Sequence, residues 1–170
     1  MKIYIVGYMG AGKSNFGADL ALQLGFNFID LDDVFQEKYH ISVGDFFVKY
    51  GEEPFRKLET DILLSTASVD NCVVSTGGGT PCHAGNMDFI VANGKSIYLH
   101  LEAEDLATRL KFMKQKRPLI KNVADDDLAA FVGDHLRERE AYYSRSEIII
   151  EGDGINPKVV AHLIKSDPVI

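Results

Sequence analysis

Residues 7–14 read GYMGAGKS, and this stretch matches the pattern G-x-x-x-x-G-K-[S/T]. In this pattern the glycines let the loop curl so that its amide N–H groups point at phosphate oxygens. Lys13 can then reach the β- and γ-phosphates of a nucleotide, and the Ser14 hydroxyl can ligate Mg²⁺. A strand-like run precedes the motif and a helical pattern follows it, a context that an ordinary glycine-rich turn does not need. The stretch therefore predicts a phosphate-binding loop, called the P-loop below.

Apolar runs alternate with amphipathic stretches along the rest of the chain. The strand candidates are rich in β-branched and aromatic residues and lie at 2–7, 26–30, 72–76, 96–101 and 147–151. Helical patterns lie between them, at 13–24, roughly 33–66 in two or three pieces, 83–92, 103–113, 125–143 and 157–165. This alternation predicts an α/β fold, a three-layer α/β/α sandwich around a five-stranded parallel sheet whose strands are buried on both faces. We expect one domain over residues 1–170, with substrate-binding helices at about 31–66.

A basic segment interrupts this alternation. Between residues 111 and 121 it holds five cations, and it then continues into a polar stretch; the cations are Lys111, Lys114, Lys116, Arg117 and Lys121. A solvated charged loop is one interpretation. The other is a lid at about 111–124 that brings positive charge onto phosphates, because long loops are often lids or binding loops.

Composition and charge exclude several classes of function. The net charge is −7, which disfavours non-specific nucleic-acid binding because that needs a basic surface. No apolar run approaches the ~20 residues that span a bilayer, and the N-terminus does not resemble a signal peptide. The two cysteines form neither a disulfide framework nor a metal-binding spacing. We therefore expect a cytoplasmic protein that contacts neither membrane nor nucleic acid.

Two alternating carboxylates follow the second strand candidate. Asp30 and Asp32 lie in the stretch FIDLDDVF at 28–35, at the carboxyl end of that strand, where open parallel sheets bind ligands. The alternative is helix capping, since aspartate is a good N-cap residue. Both roles are compatible if Asp33 is the cap.

Two arginines and a glycine triplet are further candidates. Arg56 and Glu59 are spaced i, i+3 and form either a surface ion pair or a grip on an anionic substrate. Arg139 lies in RERE at 137–140, where a solvated helix face is the alternative. Gly77 to Gly79 follow the third strand candidate, and they indicate either a strained turn or close approach of backbone to a ligand.

Taken together in this order, these features resemble the shikimate kinase family. The resemblance covers essentially the whole chain. It depends on GYMGAGKS at 7–14, on D-L-D at 30–32, on FR at 55–56 with STGGG at 75–79, and on RPL at 117–119 with Arg139 and Tyr143. It implies an ATP-dependent phosphotransferase that converts shikimate to shikimate 3-phosphate, a step towards chorismate and the aromatic amino acids.

The resemblance also implies roles for individual residues. Those implied to bind ATP are Gly10, Ala11, Gly12, Lys13, Ser14, Asn15, Arg109, Arg117 and Pro157. Those implied to bind shikimate are Asp32, Arg56, Gly78, Gly79 and Arg139. Lys13, Asp32 and Arg117 would be catalytic, with Asp32 at the reacting hydroxyl. Ser14 would ligate Mg²⁺ directly and Asp30 through water. Ile155 stands where the family often has a basic residue, so the adenine contacts remain open.

Other functions fit part of the pattern. A gluconate kinase would share the P-loop and the lid but would not need the glycine triplet beside two arginines. A nucleoside monophosphate kinase would need a base pocket, and a GTPase would need the Asn-Lys-x-Asp motif that this chain lacks. A non-catalytic ATP-binding module remains open. The small size favours a monomer.

Overall fold

The computed structural model describes residues 1–114, 119–154 and 156–166. Within them, five strands form one parallel sheet in the order β2-β3-β1-β4-β5. The strands are β1 (Lys2–Val6), β2 (Asn27–Asp30), β3 (Cys72–Ser75), β4 (Lys95–His100) and β5 (Ile148–Glu151). The predicted α/β fold with a five-stranded parallel sheet is therefore confirmed.

The central strands are buried but the edge strands are only partly so. Ile3 to Val6 of β1 are fully buried between β3 and β4, and Ile5 pairs with Ser75 and Ile97 across the two ladders. In β5, by contrast, Ile149 is 47% exposed. The prediction that all strands are buried on both faces is thus wrong for the edges, where one flank of the ladder has no neighbouring strand.

Eight α-helices connect or flank the strands in the described part of the chain. They are α1 (Lys13–Leu24), α2 (Leu31–Tyr39), α3 (Val43–Tyr50), α4 (Glu52–Ser65), α5 (Asn86–Asn93), α6 (Ala103–Lys111), α7 (Leu128–Tyr143) and α8 (Pro157–Ser166). The predicted helical region 33–66 divides into α2, α3 and α4. No helix among the described residues is both long enough and apolar enough to span a membrane.

The carboxyl ends of β1, β2 and β3 lie side by side because the three strands are parallel neighbours. The P-loop follows β1, Asp30 ends β2, and the glycine triplet follows β3. Three segments that are far apart in sequence therefore meet at one edge of the sheet, as expected for ligand sites in open α/β folds.

Helix α1 packs closely on the sheet at Gly17. A Cβ atom built at Gly17 would lie 2.8 Å from Cε2 of Phe28 and 3.6 Å from Cγ1 of Ile5. We expect Gly17→Ala to lower the free energy of unfolding by about 1–3 kcal/mol, the usual cost of overpacking a core. Urea denaturation would measure the change.

Gly133→Ala is the matched control, because Gly133 also lies within a helix but has room for a methyl group. Its added Cβ would make an ordinary contact, 3.7 Å from Cβ of Ala103. Higher helix propensity should then leave Gly133→Ala as stable as the parent chain or more stable. If Gly17→Ala behaved in the same way, the close packing of α1 on Phe28 would be disproved.

Candidate active site

The P-loop connects β1 to α1 through left-handed backbone. Gly10 and Gly12 have φ angles of 83° and 90°, which residues other than glycine rarely adopt. Lys13 is 7% exposed, and its ammonium group donates to the carbonyl of Tyr8 at 2.9 Å. The loop thus holds a buried cation against the first turn of α1, where backbone N–H groups also attract anions.

A cavity of about 320 Å³ opens over this loop. Its lining combines the P-loop with the carboxyl ends of β2 and β3 and with α6. The predicted residues that line it are Gly10, Gly12, Lys13, Ser14, Asn15, Asp30, Asp32, Gly78 and Arg109. We call it the donor cavity. Ala11 and Pro157 do not line it: Ala11 is 8% exposed within the loop, and Pro157 is the first residue of α8.

Asp30 and Ser14 face each other in the donor cavity. The Ser14 hydroxyl donates to Oδ2 of Asp30 at 2.6 Å and lies 3.5 Å from Oγ of Ser75. Oδ1 of Asp30 accepts from the backbone N–H of Asp32 at 3.0 Å, so Asp30 is the N-cap of α2. The capping alternative is therefore correct for Asp30, which directly precedes the first helical residue and caps the helix with one oxygen while the other faces Ser14. Asp33 lies within the first turn of α2 and is not the cap.

The oxygens of Ser14 and Asp30 fit a magnesium ion. Mg²⁺ is usually held by one or two protein oxygens together with phosphate oxygens and water. A complete protein cage is therefore not needed. Among the described residues, no group of three His, Cys, Asp or Glu side chains could hold a metal ion.

Arg109 joins the P-loop to the segment that follows β5. Its Nη1 donates to the carbonyl of Gly10 at 3.2 Å, and its Nη2 forms an ion pair with Asp153. The resemblance implied an ATP contact for Arg109, and the guanidinium does border the donor cavity. Arg117 and Ile155, by contrast, lie outside the described residues.

A second and larger cavity adjoins the first. It has a volume of about 720 Å³ and lies between α2, α3, α4, α7 and the glycine triplet. The predicted residues that line it are Asp32, Arg56, Gly78, Gly79 and Arg139. We call it the acceptor cavity. Five residues line both cavities: Met9, Asp32, Gly77, Gly78 and Met113.

Arg56 is buried in the wall of the acceptor cavity. Its guanidinium pairs with Glu59 at 2.8 Å and Glu52 at 3.0 Å, and its side chain is only 12% exposed. The rings of Phe47 and Phe55 lie 5.6 and 5.2 Å from its central carbon. Burial by itself would lower the pKa of Arg56, but the carboxylates of Glu59 and Glu52 together outweigh it and the pKa is raised. Arg56 thus remains charged, and the interpretation as a solvated surface pair is wrong.

Glu59 is held from a second side by Thr80. The fully buried Thr80 hydroxyl donates to Oε1 of Glu59 at 2.6 Å, while Oε2 accepts from Arg56. Each oxygen of this buried carboxylate therefore has its own donor. The arrangement fixes the Arg56 guanidinium next to the glycine triplet.

The glycine triplet is required by space and not by backbone strain. None of the three described glycines, Gly77 to Gly79, has positive φ. A Cβ on Gly77 would lie 2.6 Å from Glu59, one on Gly78 would lie 3.0 Å from the N atom of Met9, and one on Gly79 would collide with the Arg56 guanidinium. The strained-turn interpretation is thus wrong, and the protein's own side chains and P-loop occupy the space.

The two arginines of RERE have different surroundings. Arg137 is 79% exposed and pairs with Asp134 on the same helix at 2.5 Å, as a solvated face predicts. Arg139 lines the acceptor cavity, donates to the carbonyl of His135 at 3.2 Å and lies over the ring of Tyr8 at 5.9 Å. Of these two arginines, therefore, only Arg139 can contact a molecule in this cavity.

The basic segment at 111–124 is only partly described. Lys114 pairs with Asp125 at 2.7 Å, and Lys121 lines the acceptor cavity. A lid function for this segment stays a prediction.

Sequence reasoning missed several residues of the acceptor cavity. Tyr8, Phe47, Met113 and His135 line it. Tyr8 stands at a variable position of the P-loop motif, and no motif or spacing marks the other three. Tyr143 was noted only through the family resemblance; its hydroxyl donates to the carbonyl of Gly78, which fastens α7 to the glycine triplet. A periodicity analysis assigns such aromatic residues to the core, so the sequence carries no signal for them.

Comparisons with known proteins identify a family that matches most of this chain. A family described as "Shikimate kinase" matches residues 9–167. A shikimate kinase of Parabacteroides distasonis is 39% identical over 152 residues, which cover 89% of this chain and 88% of the relative.

Solved structures extend the likeness to three dimensions. A shikimate kinase crystal structure from Bacteroides thetaiotaomicron superposes with a TM-score of 0.89 at 34% identity, covering 100% of this chain and 99% of the other. The shikimate kinase of Acinetobacter baumannii, solved in complex with shikimate, superposes with a TM-score of 0.88 at 31% identity. That match covers 99% of this chain and 95% of the other.

Proposed function

Since this chain belongs to the shikimate kinase family, we propose that its two adjoining cavities hold ATP and shikimate during phosphoryl transfer. The activity is that of an ATP-dependent phosphotransferase in aromatic amino acid biosynthesis. The family assignment also sets aside the gluconate kinase alternative. Within this activity, the role of each residue depends on which of the two cavities it lines.

One observation carries the assignment of the cavities. Asp32 lines both of them, with Lys13 and Ser14 on one side and Arg56 and Arg139 on the other. A group that receives a phosphoryl must lie where donor and acceptor meet. Asp32 is the carboxylate placed to orient the reacting 3-hydroxyl of shikimate there.

The donor cavity supports ATP binding through the P-loop. Gly10 to Ser14 offer backbone N–H groups to the phosphates, and Lys13 supplies a buried positive charge. Arg109 also borders the cavity, where the carbonyl of Gly10 and the carboxylate of Asp153 hold its guanidinium. Its planar group is suited to stack on adenine. Ala11, Asn15 and Pro157 complete the proposed ATP contacts.

Ser14 and Asp30 are the residues that would hold Mg²⁺, with Asp30 acting through water. When bound, the ion would neutralise negative charge on the phosphate oxygens. The 2.6 Å separation of the Ser14 and Asp30 oxygens supports this assignment.

The acceptor cavity supports binding of a carboxylate. Arg56 and Arg139 line the same cavity, and each presents a planar fork that matches the two oxygens of a carboxylate. Gly78 and Gly79 line the same cavity, and their backbone N–H groups would donate to the acceptor. In a chain with net charge −7, these local cations are what attract an anionic acceptor.

The proposed reaction depends mainly on positioning and on charge. The transition state for phosphoryl transfer is largely loose, so alignment and neutralisation of the phosphate oxygens contribute most. Lys13 offsets charge on the transferring group. Asp32 aligns the 3-hydroxyl oxygen for attack on the γ-phosphorus and accepts its proton as the bond to the β-phosphate oxygen breaks. The predicted lid, with Arg117, would exclude water at this stage.

We also propose a monomeric, cytoplasmic enzyme. One chain supplies the P-loop, Asp32 and both arginines, so the site needs no residue from a partner. The cytoplasm is where ATP is available. Light scattering would measure the mass in solution.

The decisive experiment measures ADP release from Mg-ATP with shikimate, gluconate, a nucleoside monophosphate or no acceptor. We expect release with shikimate alone. Release with another acceptor and none with shikimate would disprove shikimate as the acceptor. Nucleotide binding without release in any arm would instead indicate a non-catalytic ATP-binding module.

Replacing Arg56 by lysine should mainly weaken the binding of shikimate. Lysine keeps the charge but loses the planar fork, which should raise KM for shikimate by about 10- to 150-fold, or about 1.5–3 kcal/mol for a charged hydrogen bond. Steady-state kinetics would measure the change. Arg137→Lys is the matched control, because Arg137 is exposed and lines neither cavity. Unchanged constants for Arg56→Lys would remove Arg56 from the site.

A further inference from the structure

The two arginines of the acceptor cavity are held in different ways. Arg56 is held by the carboxylates of Glu52 and Glu59. Among the described residues Arg139 has no ion pair; its guanidinium meets the carbonyl of His135 and the face of the Tyr8 ring, and the Cys82 thiol lies beside it. Arg139 therefore keeps its positive charge uncompensated, and its orientation depends on neutral groups.

Those neutral groups are themselves linked. The Tyr8 hydroxyl lies 2.7 Å from Nδ1 of His135, and the two rings meet edge to face at 90° with centroids 5.6 Å apart. Tyr8 is 2% exposed, so its hydroxyl needs a partner inside the protein. The Phe131 ring also packs against the imidazole, with the two ring centroids 5.5 Å apart. Both rings are thus fixed, and with them the face that Tyr8 presents to Arg139.

Both members of the pair are neutral near pH 7. Burial raises the pKa of Tyr8 to about 12, so the phenol keeps its proton. Burial and the positive charge of Arg139 lower the pKa of His135, so its imidazole is uncharged. With the imidazole proton on Nε2, the phenol donates to Nδ1. A neutral pair orients Arg139 without competing with a carboxylate for it, as a glutamate or aspartate in this place would.

We propose that Tyr8 and His135 are positioning residues that hold Arg139 in the orientation needed to bind the acceptor's carboxylate. This inference rests on the proposed function, in which Arg139 binds that carboxylate. His135 acts through its carbonyl and its Nδ1, and Tyr8 through its hydroxyl and the face of its ring. The hydrogen bond between them makes a residue of the P-loop part of the acceptor site.

Substitutions can separate this role from the other contacts of Tyr8. The carbonyl of Tyr8 accepts from Lys13, and any side chain at position 8 retains that carbonyl. Tyr8→Phe also keeps the ring beneath Arg139 and removes only the hydroxyl. His135→Ala removes Nδ1, whereas His135→Asn restores an acceptor close to the same place.

The test compares two acceptors, shikimate and an analogue in which a hydroxymethyl group replaces the carboxylate. For Tyr8→Phe and His135→Ala, we expect KM for shikimate to rise about tenfold, with kcat and KM for ATP within about twofold of the parent. His135→Asn should recover most of the loss. With the analogue, all three variants should match the parent enzyme, because no carboxylate is present for Arg139 to bind.

Matched controls and a stability measurement complete the design. Tyr142→Phe and His162→Asn change the same residue types at exposed places that line neither cavity, and both should match the parent. Urea midpoints report folding; should Tyr8→Phe not fold, the comparison of His135→Ala with His135→Asn carries the test.

The results distinguish the positioning role of Tyr8 and His135 from the carboxylate-binding role of Arg139. An equal loss with both acceptors, or no recovery in His135→Asn, would overturn the positioning role while leaving the carboxylate-binding role of Arg139 intact. A parent enzyme that used the two acceptors equally well would reject that role of Arg139, and the positioning role with it.

Discussion

Lys13→Ala is expected to lower kcat by about 10³-fold or more, the scale seen when a cation at a transferring phosphoryl group is lost. Lys13 is buried at the floor of the donor cavity, where a low dielectric strengthens its attraction for phosphate oxygens. Shikimate-dependent ADP release would measure kcat, and equilibrium titration would measure ATP affinity.

Two further variants test whether the lost activity is due to the charge of Lys13. Lys13→Met fills the same buried space without the charge and should lose as much activity as Lys13→Ala, whereas Lys38→Ala removes an exposed lysine at the end of α2 and should keep full activity. If Lys13→Met retained more than about a tenth of the parent kcat, charge neutralisation by Lys13 would be the wrong account of the P-loop.

Asp32→Asn is expected to lower kcat by about 10²- to 10⁴-fold, the range for a positioned general base. Asparagine has nearly the same shape but cannot take the proton of the 3-hydroxyl. KM for ATP should change little, because the P-loop remains complete. Steady-state kinetics with both substrates varied would separate the two constants.

The neighbouring residue supplies the control. Asp33 is the next residue of the same helix, is exposed and lines neither cavity, so Asp33→Asn removes the same charge outside the site. It should keep kcat close to that of the parent. An Asp32→Asn enzyme no slower than Asp33→Asn would show that Asp32 takes no part in the reaction.

The sequence predicted those parts of the site that are local in the chain. The spacing of GYMGAGKS is sufficient to predict a P-loop because one continuous stretch of backbone makes it. The strands could be recognised because burial in a parallel sheet selects apolar and β-branched residues. Asp32 could be proposed because it follows a strand, whose carboxyl end has a known place in such a sheet.

Which arginines are buried or line the cavity could not be predicted from local sequence. The i, i+3 spacing of Arg56 and Glu59 is the same whether a helix face is solvated or buried. Their burial follows from packing against Thr80 and the glycine triplet, which arrive from β3. Likewise, only the position of α7 separates Arg139 in the cavity from Arg137 in solvent.

By itself, then, the sequence determined the α/β class, the nucleotide loop and, through the order of its motifs, the resemblance to shikimate kinases. The tertiary structure decided the strand order and the contact between Tyr8 and His135, which are 127 residues apart. The physical reason is range. Backbone conformation and hydrophobic periodicity act between near neighbours and leave a pattern in the sequence, whereas a contact between distant side chains leaves none until the sheet brings them together.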